Sequence, residues 1–80
     1  MLNADLVEPV VRGMAHHAKK MGASTVMRVR FMVGMMTGFE EESFKNTFSI
    51  LAKNTLLEGA ELEVSFYPGN GIEILSFDID

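Results

Sequence analysis

The chain has 80 residues, 48% of them hydrophobic and 22% charged, with a formal charge of -4 and no cysteine. Such a length predicts one domain that buries about 60% of the surface its unfolded form exposes, and so much apolar content excludes a disordered chain. The missing Cys excludes disulfides, a thiolate nucleophile and Cys-based metal sites, the negative charge argues against nucleic acid, and no apolar run is long enough for a membrane helix.

An N-terminus carrying Asn3, Asp5 and Glu8 has no basic region of a secretion signal, so a cytoplasmic setting is expected. From Leu6 to Met21 the apolar residues Leu6, Val7, Val10, Val11, Met14, Ala15, Ala18 and Met21 recur at three- and four-residue steps, the pattern of an amphipathic helix. Lys19 and Lys20 suit its negative C-terminal end, and Gly22 its cap. Pro9 cannot donate to the Asp5 carbonyl, so the helix either begins near Glu8 or is kinked. Thr25 to Val33 alternates as a half-buried strand, with Met27, Val29, Phe31 and Val33 on the core face and Arg28 and Arg30 on the other.

After the turn-like Met35-Met36-Thr37-Gly38, the acids Glu40, Glu41 and Glu42 precede Phe44, Phe48 and Leu51 and predict a second helix that Asn54 ends. Leu62, Val64 and Phe66 then alternate with Glu61, Glu63 and Ser65 in a second strand. The Pro68-Gly69-Asn70-Gly71 turn leads to Ile72–Ile79, with Leu75, Phe77 and Ile79 facing one way and Ser76 and Asp78 the other, as if a hairpin closed the chain. The predicted fold is α+β: two helices on one face of a small three-stranded mixed sheet, in the order helix-strand-helix-strand-strand, with the strand order open. Arg28 and Arg30 are expected to pair with Glu61, Glu63 or Asp78 across the wet face.

No arrangement of residues suggests catalysis. Neither Gly34 to Gly38 nor Gly69 to Gly71 is a phosphate loop, and Ser24, Ser43, Ser49, Ser65 and Ser76 lack a nucleophile-elbow context, so the chain is expected not to be an enzyme. His16 and His17 point about 100° apart on a helix and read as surface residues, or as metal ligands if a symmetric dimer brings two pairs together. Glu40 to Glu42 read as a solvated first turn, or as a divalent-ion or acid-base cluster. Of seven methionines, Met14 and Met27 read as core, whereas Met32, Met35 and Met36, with Thr37, mark a contact surface, further core or a soft copper(I) site.

Several stretches carry a resemblance: His17-Ala18-Lys19-Lys20, Val29-Arg30-Phe31-Met32-Val33-Gly34, Thr37-Gly38, Thr55-Leu56-Leu57-Glu58-Gly59-Ala60-Glu61-Leu62, and Ile74-Leu75-Ser76-Phe77-Asp78-Ile79. Together they resemble the nickel-binding half of the hydrogenase-maturation nickel chaperone (HypA) family. The resemblance implies a zinc lobe with two Cys-x-x-Cys pairs at the Pro68–Gly71 turn and a Met-His-Glu start for nickel, with an acid at the second helix. Here Leu2 and Asn3 stand at the imidazole and carboxylate positions, and Glu40 at the acid position.

The expected role is therefore a non-catalytic accessory module in metalloenzyme maturation, with no bound cofactor and a protein partner such as a metalloenzyme or maturation factor. One alternative retains nickel delivery through Met1, Glu40 and His17. Another treats the domain as a self-assembling structural unit with open sheet edges.

Overall fold

The computed structural model describes residues 3–80, which run through α1 (Ala4–Lys20), β1 (Val26–Gly34), a 3-10 turn (Met35–Thr37), α2 (Glu41–Ala52), β2 (Glu61–Tyr67) and β3 (Ile72–Ile79). Two helices and a three-stranded mixed sheet follow one another in the expected order. Among the described residues no helix is long and apolar enough to cross a membrane.

The first helix starts earlier than one reading of Pro9 allowed. It runs from Ala4 with Pro9 inside it, not from Glu8. The Pro lies within two turns of the N-terminus, so the missing bond to the Asp5 carbonyl falls near a helix end, where solvent can satisfy that group. Val7, Val11, Met14 and Ala18 form its buried stripe, whereas Leu6 and Met21, at the margins of the expected stripe, are exposed. In α2 the buried residues are Phe44, Thr47, Phe48 and Ala52.

The sheet order is β2-β1-β3, with β1 parallel to β2 and antiparallel to β3. The expected closing hairpin is thus corrected: β2 and β3 are not neighbours. Tyr67 lies beside Gly34 and Ile72 beside Val33, so the Pro68–Gly71 segment carries the chain across the end of β1. Two strand spacings, about 10 Å, are within reach of a short extended segment. The parallel β1–β2 pair needs a long crossover, which α2 supplies. α1 packs on the β3 side of the sheet and α2 on the β2 side.

Two side chains face differently from the simple alternation, and each marks an irregularity in the β1–β3 ladder. Val26 pairs with Ile79 and Arg28 with Asp78, so Met27 is an extra residue on β1. It is 57% exposed, not core, and Val26 is buried in its place. Arg30 pairs with Ser76 and Phe31 with Ile74, so Leu75 is extra on β3 and is 55% exposed. An inserted residue inverts the alternation beyond it, because strand side chains change face at every step.

The core is aromatic at its centre. Phe31 meets Phe44 at 5.1 Å and Phe48 at 5.3 Å between ring centroids, and Phe39 meets Phe44 at 5.5 Å, all edge to face. On the opposite, wet face the expected ion pairs are present: Arg28 with Glu61 at 2.8 Å, and Arg30 with Glu63 and Asp78 at 3.5 Å. Such exposed pairs contribute about 0.2–1 kcal/mol each.

The loop before β2 explains why the Thr55–Leu62 stretch has a structural character. Thr55 Oγ1 donates to the Ala52 carbonyl at 2.7 Å and accepts the Leu57 N–H at 3.1 Å, while the Val26 N–H donates to the Leu56 carbonyl at 2.8 Å. Leu57 is buried. At the far end of β3 the Asp80 carboxylate accepts the N–H groups of Ser24 at 2.9 Å and Thr25 at 3.3 Å, which hold its pKa below the usual carboxylate value.

Candidate functional site

The residues of interest gather where β1 ends. Gly34 donates its N–H to the Gly71 carbonyl at 2.7 Å, and Met36 donates to the Gly69 carbonyl at 2.8 Å, so the crossing segment straps the 3-10 turn to the sheet. Thr37 is buried under this turn. Its hydroxyl donates to the Gly34 carbonyl at 2.7 Å and accepts the Phe39 N–H at 3.3 Å. Its part in any contact surface is to hold the turn in shape. Met35 and Met36 project outward, 64% and 77% exposed. Met32 is half-buried on the wet face, opposite Ser65 and Glu73.

Beside the turn lies a shallow groove of about 380 Å³ lined by Met35, Phe39, Glu40, Glu41 and Phe66. Phe66 belongs by alternation to the apolar set of the second strand and by position to the less covered Phe66-Tyr67-Pro68 turn. It pairs with Val33 at the end of the edge strand β2 and stays 39% exposed. The signal was its place next to the turn rather than its periodicity. Glu40 caps α2 and donates its N–H to Ser43 Oγ at 2.9 Å, and Glu41 pairs with Lys45 at 2.9 Å. Glu40 is exposed.

Asn3 precedes α1 in a left-handed conformation, φ 59°, and its side-chain amide donates to the Thr37 carbonyl. The start of α1 is thereby tied to the loop that leads to Glu40. A carboxylate at this position would have no hydrogen to donate. The Met1 candidate lies outside the described residues.

The histidines are at the other end of α1. At about 1.5 Å rise per residue, His17 is roughly 20 Å along the helix from Asn3. Its ring meets Phe77 edge-on at 6.0 Å, whereas His16 lines a different hollow with Lys19, Asn54 and Leu56. The fold therefore separates His17 from Glu40 and sends the two imidazoles to different surroundings. Among the described residues no three His, Asp or Glu side chains converge as a metal-ligand group.

Comparison with known proteins identifies the scaffold. A family model described as hydrogenase/urease nickel incorporation, metallochaperone, hypA, matches residues 1–72. The hydrogenase maturation factor HypA of Beijerinckia indica is 38% identical over 69 residues, covering 86% of this chain and 61% of that protein. Its counterpart in Chlorobium phaeobacteroides is 46% identical over 55 residues, covering 69% of this chain and 49% of that protein. The solution structure of the Ni metallochaperone HypA from Helicobacter pylori superimposes with a TM-score of 0.79 at 17% identity, over 99% of this chain and 97% of that one. The chain belongs to the HypA family. It spans 61% and 49% of the length of the two curated relatives described above.

Proposed function

We propose that this HypA-family chain is a non-catalytic accessory module in nickel-enzyme maturation that works by protein contact, with a degenerate metal site. The contact surface is the exposed Met35–Met36 turn together with Phe66 and the groove beside it, and the partner is a metalloenzyme precursor or another maturation factor. The supporting observation is the Asn3 side chain. It stands at the carboxylate position of the resembled motif, and its amide is committed as a donor to the Thr37 carbonyl. The Asn3 amide nitrogen offers no lone pair and its oxygen is only a neutral, hard donor, Leu2 offers no imidazole, and His17 is distant along α1, so Glu40 is the remaining anionic donor of the set and divalent nickel is poorly matched.

A second reading keeps nickel as cargo. It is favoured by the same bond, which brings the start of α1 against Thr37 and therefore close to Glu40. Calorimetric titration of nickel into tag-free protein with its native N-terminal amine separates the two. No binding in the micromolar range is expected. One-to-one micromolar binding that disappears in Glu40→Gln would replace the contact reading with delivery.

The contact surface has its own test. In Met35→Ser/Met36→Ser the turn keeps its backbone and Thr37 bonds, and both side chains are exposed, so stability should change by no more than about 0.5 kcal/mol. Retention of a maturation factor or nickel-enzyme precursor, identified by mass spectrometry after crosslinking, should be lost. Unchanged retention would remove this surface. Light scattering on the same samples addresses self-assembly, since among the described residues both outer sheet edges are unpaired and a metal-independent oligomer would favour the structural alternative.

A further inference from the structure

The strap over Gly34 contains Asn70 followed by Gly71, and its chemistry is not used by the contact reading. Asn70 is exposed. The Tyr67 ring folds back beneath the strap: a Cβ on Gly69 would fall within the ring, and one on Gly71 would stand 3.2 Å from the hydroxyl. Glycine at 71 is thus favoured by the packing of the tyrosine. The same choice leaves Asn70 beside a residue with no side chain to obstruct attack by its backbone nitrogen. That nitrogen is occupied, because the Gly71 N–H donates to Tyr67 Oη at 3.2 Å.

We infer that Asn70 is a latent deamidation site gated by Tyr67, and that its conversion releases the Met35–Thr37 turn. When the clasp opens, the Gly71 nitrogen attacks Asn70 Cγ, its proton passes to the departing Nδ2, the Cγ–Nδ2 bond breaks and ammonia leaves. Water then opens the five-membered succinimide at either carbonyl, giving aspartate or isoaspartate, with no change of oxidation state. While the clasp is closed the N–H is held in a hydrogen bond, and the carbonyls of Gly69 and Gly71 are fixed by Met36 and Gly34, so the backbone cannot swing to present the nitrogen to Cγ. The reaction waits on a local opening.

The product matters because residue 70 lies between the two carbonyls that strap the turn. Isoaspartate adds a main-chain carbon between them, and the bonds from Met36 to Gly69 and from Gly34 to Gly71 cannot both keep their register. Aspartate adds a negative charge at the same place. Either product ages the exposed methionine surface from beneath.

The test compares deamidation rates at mildly alkaline pH for the wild-type protein, Tyr67→Phe and a free peptide of sequence Tyr-Pro-Gly-Asn-Gly-Ile. Mass spectrometry of the fragment containing Asn70 and enzymatic isoaspartate methylation supply the readouts. The peptide should react fastest, Tyr67→Phe several-fold faster than wild type, and wild type slowest. Wild type in urea above its unfolding midpoint needs no substitution and should reach the peptide rate. Equal rates for wild type and Tyr67→Phe would overturn the gate, as would a wild-type rate that urea leaves unchanged. An unreactive peptide would overturn the site itself.

Discussion

Phe31→Ala should lower the unfolding free energy by about 4 kcal/mol, the middle of the range for truncating a buried Phe. Phe31 is 1% exposed at the centre of the middle strand, and its ring contacts both Phe44 and Phe48 edge to face. The substitution removes transfer free energy and both aromatic contacts, and it opens a cavity that the surroundings cannot close. β1 is pinned by β2 on one side and β3 on the other, so it cannot move toward α2 without breaking a ladder. A chain of 80 residues has a total stability of about 4–12 kcal/mol at the usual value per residue. The variant should therefore lose between about a third of its stability and all of it. Urea denaturation checks this through the midpoint at constant m-value, with Phe31→Leu, which refills most of the volume, losing about 1 kcal/mol. A loss below about 1 kcal/mol for the alanine variant would mean the ring is not enclosed against α2, and the packing described above would be wrong.

Side-chain periodicity carried the element order and the core of the helices, because a helix that buries one stripe must show it every three or four residues. The strands were less plain. Val26 beside Met27, and Ile74 beside Leu75, are adjacent apolar pairs at which the apolar set passes from even to odd positions in β1 and from even to odd in β3. That switch of parity is what a bulge looks like in sequence, and reading straight through it put Met27 and Leu75 on the core face. The closing hairpin misled for another reason. Pro-Gly-Asn-Gly is turn chemistry in either topology, and local residues do not say whether the next strand pairs with β2 or goes beyond β1. The difference shows only in the fold, at Gly34, where the crossing segment leaves no room for a Cβ.

The site was legible in the same uneven way. Met35 and Met36 lie in a turn between a strand and an acidic helix start, and the sequence asked only that at least one of Met32, Met35 and Met36 be exposed; that both turn residues are exposed came from the fold. Thr37 was grouped with them, yet a short hydroxyl residue in such a turn can bond back to the backbone, and here it does so from inside. His17 and Glu40 could be named as donors of a suitable type, but whether they meet is set by the length of α1, which runs between its two ends without a fold. Residue type suggested the chemistry; only the helix axis excluded that pair from one site.

Gly34→Ala should lose about 3 kcal/mol and, unlike the methionine variant, should lose stability and partner retention together. At Gly34 the strap passes so close that a methyl would collide with the Gly69 carbonyl and with the Asn70 nitrogen. These are backbone atoms, which cannot swing aside as a side-chain tip can. Relief requires lifting the strap, which breaks the bonds of Gly34 to Gly71 and of Met36 to Gly69, each with a net contribution of about 1 kcal/mol. Lifting it also frees the start of β3 and the 3-10 turn, so the Met35 and Met36 side chains no longer have a fixed geometry. Hydrogen exchange should show the Met36 amide losing its protection while amides in the middle of α2 keep theirs. The outcome bears on topology as well as on function. Only a chain that crosses β1 between β2 and β3 places a carbonyl over Gly34, so a variant with the wild-type midpoint would imply that β3 reaches the sheet by another route and that the strand order β2-β1-β3 is wrong.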